Sequence, residues 1–316
     1  MLQGFAETCE KPLPPFAVAL IFLQKNTNHT HEILANIGDC HTMTTNMNEH
    51  CRCAWEEMRT QRMCQMRVGY DPEFRSKLAE DHSDAAKYNN YEYGRRAVEA
   101  LDAILDENSR VLEIGAGPGT LTIPLSMSVE KVVVIESSDV AVRSLRRNLT
   151  DCGIENVEIT GSNWLDVGEH ELGGDFDLVV CSHFLWQMKD LKRHLAKMEE
   201  ASRGYCAVVQ PAGRDDMVKG IYTEVTGERY SGEFDPDADY FAYLILRRWG
   251  RLVNVRVMNY SMERSFEQEV RYAASFIGKY VKVDSRMKDE IEQYISLKGI
   301  SPEQQSAVVL WWERPV

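Results

Sequence analysis

The residues with the clearest chemical potential lie around position 115. The stretch Glu113-Ile114-Gly115-Ala116-Gly117-Pro118-Gly119-Thr120 closes a short apolar run that begins at Val111. A glycine turn at the end of a buried strand lets a ligand lie against the backbone, because no Cβ stands in the way. In an open α/β sheet such a ligand sits outside the carboxyl ends of the strands, where the strand order reverses. A dinucleotide loop reads G-x-G-x-x-G, its third glycine allowing close helix packing. Here Thr120 takes that third place, and Glu113 precedes the first glycine. A carboxylate repels a pyrophosphate but attracts a ligand that carries a sulfonium and an ammonium. A second acid, Glu136, follows the apolar run 131–135 and lies 23 residues after Glu113. An acid at that point can accept hydrogen bonds from both hydroxyls of a ribose. All adenosyl ligands share that feature, so the loop pattern discriminates among them and Glu136 does not.

These residues need a scaffold, and the hydropathy pattern supplies one. Apolar runs at 111–114, 131–135, 157–160, 176–181 and 205–210 predict buried strands. Between them lie helical stretches: 121–127, a stripe at Ala141, Leu145 and Leu149, and another at Met188, Leu191, Leu195 and Met198. Gly153 is suited to end the second of these. Upstream, 55–67, 73–88 and 92–105 read as helices. Strands alternating with helices imply βαβ units and a mostly parallel sheet covered on both faces. After Pro211 the alternation breaks. Residues 213–226 predict a helix, and Asp235-Pro236 is a start signal for another, with a cap before a first-turn proline. A strand at 252–258 follows, then helical stripes at Val270, Ala273, Ala274 and Ile277 and at Met287, Ile291, Tyr294 and Ile295, and a strand at 308–312.

Composition sets the outer bounds. The chain has 316 residues, 36 Lys+Arg against 49 Asp+Glu, a net charge of −13. That balance disfavours non-specific nucleic-acid binding, where phosphate neutralisation by Lys and Arg supplies most of the affinity. It also disfavours anionic membrane surfaces. The longest apolar run, 16–23, is too short to span a bilayer. Acids precede it and no A-x-A site follows, which argues against a secretory signal. The expected setting is the cytoplasm, with reduced thiols. Eight cysteines and eight histidines are present, and half of them fall between His29 and Cys64. Cys51-x-Cys53 with Cys64 and His50 suggests a metal, but zinc sites use C-x₂₋₄-C and a second tight pair, which is missing. No metal is therefore expected. Residues 24–50 show neither helical nor strand period.

Four stretches carry a resemblance. VLEIGAGPGT (111–120) resembles motif I of the class I S-adenosylmethionine-dependent methyltransferases, and VVVIESS (132–138) resembles their motif II. NVEITGSNW (156–164) resembles their third-strand stretch, and FDLVVCSHFLWQM (176–188) their motif IV. Order and spacing agree over about residues 92–210. The resemblance implies a doubly wound, mostly parallel seven-stranded sheet. It would carry an N-terminal helical extension and a helical insertion after the fifth strand. The expected division is 1–50 as a non-core extension, 51–90 as a helical cover, and 91–316 as the cofactor-binding domain with a substrate-side insertion at 211–250.

The resemblance also assigns roles. Gly115, Ala116, Gly117 and Gly119 would line the methionine and adenosyl parts of S-adenosylmethionine, and Glu113 would orient the loop and the amino group. Glu136 and Ser137 would meet the ribose. Asn163 stands where the family often has Asp, at the adenine amine. An amide oxygen can accept the same bond. Trp164 would pack by the adenine and offer its backbone N–H; a core role is the alternative. Cys181 and Ser182 would lie beneath the methionine and sulfonium. His183 is the candidate proton acceptor, with pocket lining as the alternative. Tyr91, His183, Trp186, Tyr222 and Tyr240 are candidate substrate contacts. The motif IV signature Asn-Pro-Pro-Tyr is absent. With net −13, that points to a small-molecule methyl acceptor, with no nucleic-acid or membrane partner and an oligomeric state left open. Two other readings stand beside it: an S-adenosylmethionine-binding scaffold without catalysis, and an NAD-type dehydrogenase, which Glu113 and Thr120 disfavour.

Overall fold

The computed structural model describes residues 51–60, 72–168, 172–212, 216–229, 238–278, 280–299 and 304–315. The expected 1–50 extension, His50, Cys64 and the Asp235-Pro236 signal lie outside these residues. Ten helices are described: α1 over 51–60, α2 Pro72–Tyr88, α3 Glu92–Leu101, α4 Thr122–Ser126, α5 Asp139–Cys152, α6 Leu191–Ala201, α7 Asp216–Thr226, α8 Ala238–Arg248, α9 Phe266–Ile277 and α10 Ser285–Lys298. The strands are β1 Arg110–Ile114, β2 Lys131–Ile135, β3 Val157–Thr160, β4 Phe176–Ser182, β5 Ser202–Ala212, β6 Asn254–Ser261 and β7 Gln304–Glu313.

The seven strands form one sheet in the order β3-β2-β1-β4-β5-β7-β6. The first five are parallel, while β7 runs antiparallel to both β5 and β6. The order reverses between β1 and β4, so their carboxyl ends border the crevice where a doubly wound sheet takes its ligand. Burial explains why these runs are strands. Val111, Leu112 and Ile114 are buried on β1, as are Leu178 through Cys181 on β4. Residues buried on both faces read as continuous apolar runs.

Two apolar layers cover the sheet. One joins Ala97 and Leu101 of α3, Ile123 and Leu125 of α4, and Leu145 of α5 to the strands. The other joins Trp55 of α1, Leu191, Leu195 and Met198 of α6, and Ala242 and Leu246 of α8. Local caps fix several of the helices. Ser138 caps α5, whose far end stops at Gly153 in the left-handed region (φ 66°). Asp190 caps α6, and Ser265 with Gln268 forms a capping box on α9.

The helices of the second half are distributed differently from the expected 211–250 insertion. α8 lies flat on the second layer. α7 instead joins α9 and α10 in a third buried cluster, with Ile221, Ala273, Ile277, Ile291 and Ile295 at its centre. Gly220 permits that approach: the Tyr294 hydroxyl of α10 lies 2.5 Å from where a Cβ would stand. Both excursions leave from one pole of the sheet. Ala212 at the end of β5 pairs with Ser306, and Ser261 at the end of β6 pairs with Gln304. These are carboxyl ends of strands, so α7, α9 and α10 make a cap at the pole that carries the glycine turn. The start of β6 also differs from expectation. Leu252 is 81% exposed and precedes the strand, so its apolar character is not a sign of burial.

Candidate active site

The glycine turn is built by three left-handed backbones. Gly115, Gly117 and Gly119 have φ of 73°, 57° and 96°, values that side chains resist. A Cβ at Gly115 would lie 2.7 Å from Cδ2 of Phe184, and one at Gly119 would lie 2.6 Å from Cδ1 of Leu145. At Gly117 the same position is open, with nothing within 4 Å. The turn is therefore packed from below at two glycines and open at the middle one. Ala116 beside it is buried. Glu113, the penultimate residue of β1, is 1% exposed, and its Oε2 has no hydrogen-bond partner. Burial pushes this carboxyl up from 4.5 to about 7, the nearby Thr122 hydroxyl opposes the shift, and the Glu136 charge adds to it.

Glu136 folds toward the turn. Its Oε2 accepts from the Gly117 N–H at 3.0 Å, and its Oε1 accepts from the Ser138 N–H at 2.8 Å. The acid thus ties motif I to the start of α5. Ser137 is exposed beside it. After β3, Asn163 opens a tight turn. Its side-chain oxygen accepts from the Leu165 N–H at 3.1 Å, and its amide nitrogen donates to Asp166 at 2.9 Å. One lone pair of that oxygen is already used locally, leaving the second for a ligand. Trp164 is 1% exposed in the second apolar layer, so its ring is a core group as well as a neighbour of this turn.

The end of β4 supplies the remaining chemistry. Cys181 is fully buried, and burial pushes its thiol up. The Ser182 hydroxyl lies 2.7 Å from the Tyr93 hydroxyl. His183 follows with φ 53°, an uncommon conformation for a residue with a side chain, and its N–H donates to the Val209 carbonyl at 3.0 Å. Its ring meets Tyr93 edge-on at 5.2 Å, and Tyr93 meets Tyr260 of β6 the same way at 5.0 Å. The surrounding protein lowers the His183 imidazole, and His82 lowers it further. Taken as a whole the residue is exposed, at the rim of the pole that carries the glycine turn. His82 comes from α2, with its Nε2 3.4 Å from the Thr120 hydroxyl.

The predicted substrate residues separate. His183 belongs to this group. Trp186 is half-exposed just beyond it, donating from Nε1 to the His183 carbonyl at 3.0 Å. Tyr91 is buried, with its phenol beside Cys152 at the end of α5. Tyr222 is buried in the cap and meets Tyr280 edge-on at 6.0 Å. Tyr240 is 49% exposed on α8. Tyr93, which the sequence reading does not single out, is the tyrosine that meets Ser182 and His183. The signal was present, since Tyr93 shares the α3 stripe of Ala97, Ala100 and Leu101, whereas Tyr91 precedes the helix. No periodicity pointed to His82.

Two features of the site bear on S-adenosylmethionine. The orphaned, buried Oε2 of Glu113 is an acceptor with no donor, and the open position at Gly117 is a cradle any side chain would fill. Both suit a ligand with a cationic amino acid part and an adenosyl part. Both oxygens of Glu136 already accept from backbone N–H groups, which fixes its carboxylate at the turn and leaves its remaining lone pairs for a ligand.

Residues 105–231 match the family model described as "Methyltransferase domain". Among curated relatives, the ribosomal protein L11 methyltransferase of Clostridium perfringens is 30% identical over 115 residues, which is 36% of this chain and 36% of that protein. A probable ribosomal RNA small subunit methyltransferase A of Methanosphaera stadtmanae is 36% identical over 66 residues, 21% of this chain and 24% of that protein. The release factor glutamine methyltransferase of Shewanella oneidensis is 32% identical over 86 residues, 26% of this chain and 29% of that protein. The matches thus span between about a quarter and a little over a third of the length of these relatives. A solved SAM-dependent methyltransferase from Aquifex aeolicus is 16% identical, with TM-score 0.45, over 78% of this chain and 100% of that one. These relatives correct one expectation. They are named for a ribosomal protein, a ribosomal RNA and a release factor, so the inference of a small-molecule acceptor with no nucleic-acid partner does not stand. Its physical weakness is that net charge averages over the whole surface and is silent about the rim of one site.

Proposed function

We propose that residues 105–231, which match a methyltransferase domain, form a class I S-adenosylmethionine-dependent methyltransferase domain, and that the protein transfers a methyl group from that cofactor to a macromolecule of the translation apparatus. The observation that carries the cofactor part is the glycine turn, open at Gly117, between the orphaned Glu113 carboxyl and the Glu136 carboxylate. The acceptor class is supported by the relatives' names alone. The cofactor supplies a methyl group already activated by its sulfonium.

In this reading the protein's own groups bind, orient and manage protons. Glu136 accepts from the ribose hydroxyls, and Glu113 holds the amino group. Gly115, Ala116, Gly117 and Gly119 form the floor, while Ser137, Asn163 and Trp164 border the ribose and adenine. The Ser182–Tyr93 hydroxyl pair and Cys181 close the space beneath the transferred methyl. His183, held neutral at pH 7, takes a proton from the acceptor as a weaker base than a free imidazole. Orientation alone lowers the barrier of such in-line transfers by about 7–11 kcal/mol, so His183 modulates the rate and is not indispensable. Free cysteines at 51, 53, 152, 181 and 206 accord with a cytoplasmic setting. Among the described residues no helix is long and apolar enough to cross a membrane.

The test is calorimetry with S-adenosylhomocysteine and NAD, followed by methyl-labelled cofactor offered with ribosomal proteins, ribosomal RNA and release factors. Binding of S-adenosylhomocysteine and not NAD, with label in one macromolecular fraction, is the expected result. NAD binding would overturn the cofactor. Intact S-adenosylhomocysteine binding with no label in any of the three would overturn the acceptor class.

A further inference from the structure

The tight turn after β3 is held from beneath by a lysine that no motif includes. Lys197 sits in the middle of α6 at 4% exposure. Its Nζ donates to the Trp164 carbonyl at 2.5 Å and to the Val167 carbonyl at 2.5 Å. The same atom lies 4.0 Å from the centre of the Trp164 ring. The turn also closes on itself, since the Asn163 carbonyl accepts from the N–H groups of Asp166 and Val167. One ammonium thus gathers two carbonyls of a single turn and rests on the indole face between them. A charged donor makes hydrogen bonds roughly twice as strong as neutral ones, and a desolvated cation over an indole adds to this. A buried lysine is costly unless its donors are satisfied, so a residue serving packing alone would be apolar here, like its helix neighbours Leu195 and Met198, both fully buried.

We infer that Lys197 is a positioning residue for the adenine end of the cofactor site. It acts through Trp164 and Val167 and does not touch the ligand. The inference rests on the cofactor reading above, in which residues 163 and 164 border the adenine. Lys197 fixes the backbone of that turn from the carbonyl side, which sets the direction of its N–H groups. Without the ammonium the two carbonyls face an apolar layer, and the turn loses the conformation that meets the ring.

The test compares two substitutions on α6. Lys197→Met removes the ammonium and keeps the length, while Leu195→Ala removes a buried side chain of the same helix and keeps the ammonium with both of its carbonyl partners. In the unliganded protein, hydrogen exchange at the amides of 164–167 should speed up in Lys197→Met and stay unchanged in Leu195→Ala. By calorimetry, Lys197→Met should weaken S-adenosylhomocysteine binding by roughly tenfold or more, and Leu195→Ala by less than about twofold despite its lower melting temperature. Should Lys197→Met fail to fold, Lys197→Arg keeps the charge with altered geometry and should give an intermediate loss. Equal weakening by both substitutions, or unchanged exchange at 164–167 in the lysine variant, overturns the positioning role. A parent protein that binds no S-adenosylhomocysteine while exchange at 164–167 still responds would instead overturn the cofactor reading and leave the anchoring of the turn intact.

Discussion

Glu113 is a buried acid with an unmet acceptor, and its chemistry should be visible in pH titrations. Its carboxyl is raised from 4.5 to about 7 by burial. A raised acid favours the protonated form in the folded state. It therefore contributes stability that is complete below about pH 4.5 and lost as the pH rises through about 7, a change on the order of 3 kcal/mol. Glu113→Gln should flatten the decline in unfolding free energy between pH 5 and 8, as read by urea titration at each pH. Cofactor binding should show the opposite slope, because a cationic ligand draws the carboxyl to its ionised form. Affinity for S-adenosylmethionine should rise from pH 5.5 to 8, with proton release seen by calorimetry in buffers of different ionisation enthalpy. A flat affinity profile would remove Glu113 from the amino-group contact. Gly115 gives a second residue-scale prediction. Gly115→Ala places a methyl against Phe184 at a φ of 73°, and should cost about 1–3 kcal/mol of stability in denaturant melts.

At the scale of elements, α2 joins parts that are distant in sequence. Asp81 forms a two-pronged ion pair with Arg271 of α9, at 2.5 and 2.9 Å. The next residue, His82, reaches Thr120 of the glycine turn. Ser83 accepts from Asn148, which also donates to the Pro118 carbonyl. Three successive side chains thus tie the cap to the cofactor turn. Arg271→Met leaves Asp81 buried without its partner and should cost about 3–5 kcal/mol, with faster hydrogen exchange in α2 and α9 and little change in β1 or β4. The alternation of β1 to β5 with their helices was legible because each such element is continuous in sequence and its burial is written in its own residues. The cap was not. Its stripes on α9 and α10 read correctly as helices, but nothing local shows that they pack on α7 in preference to the sheet. Tyr222, buried against Tyr280, illustrates the reason, since an aromatic on an excursion reads the same in sequence whether it faces a ligand or another helix.

Considered as a whole, the sheet depends on its last strand. β7 lies between β5 and β6 and pairs with both over eight residues each. Removing residues 304–316 should leave no cooperative thermal transition by near-ultraviolet circular dichroism; a folded product would mean β5 and β6 can close the gap alone. The acidic surface, net −13, was informative about average charge and misleading about the acceptor, because composition carries no position.

The tie through α2 also bears on biosynthesis. The Asp81–Arg271 pair spans 190 residues of sequence, whereas His82 and Thr120 are 38 apart. At about 5–20 residues per second of synthesis, roughly ten seconds or more separate the emergence of Asp81 from that of its partner. During that interval α2 can meet the cofactor turn but not the cap. Contacts of such long sequence separation form late, since their loop entropy must be overcome first. A nascent chain on the ribosome can therefore make the local contact between α2 and the glycine turn before its contact with the cap, and completes the site only once β7 has emerged.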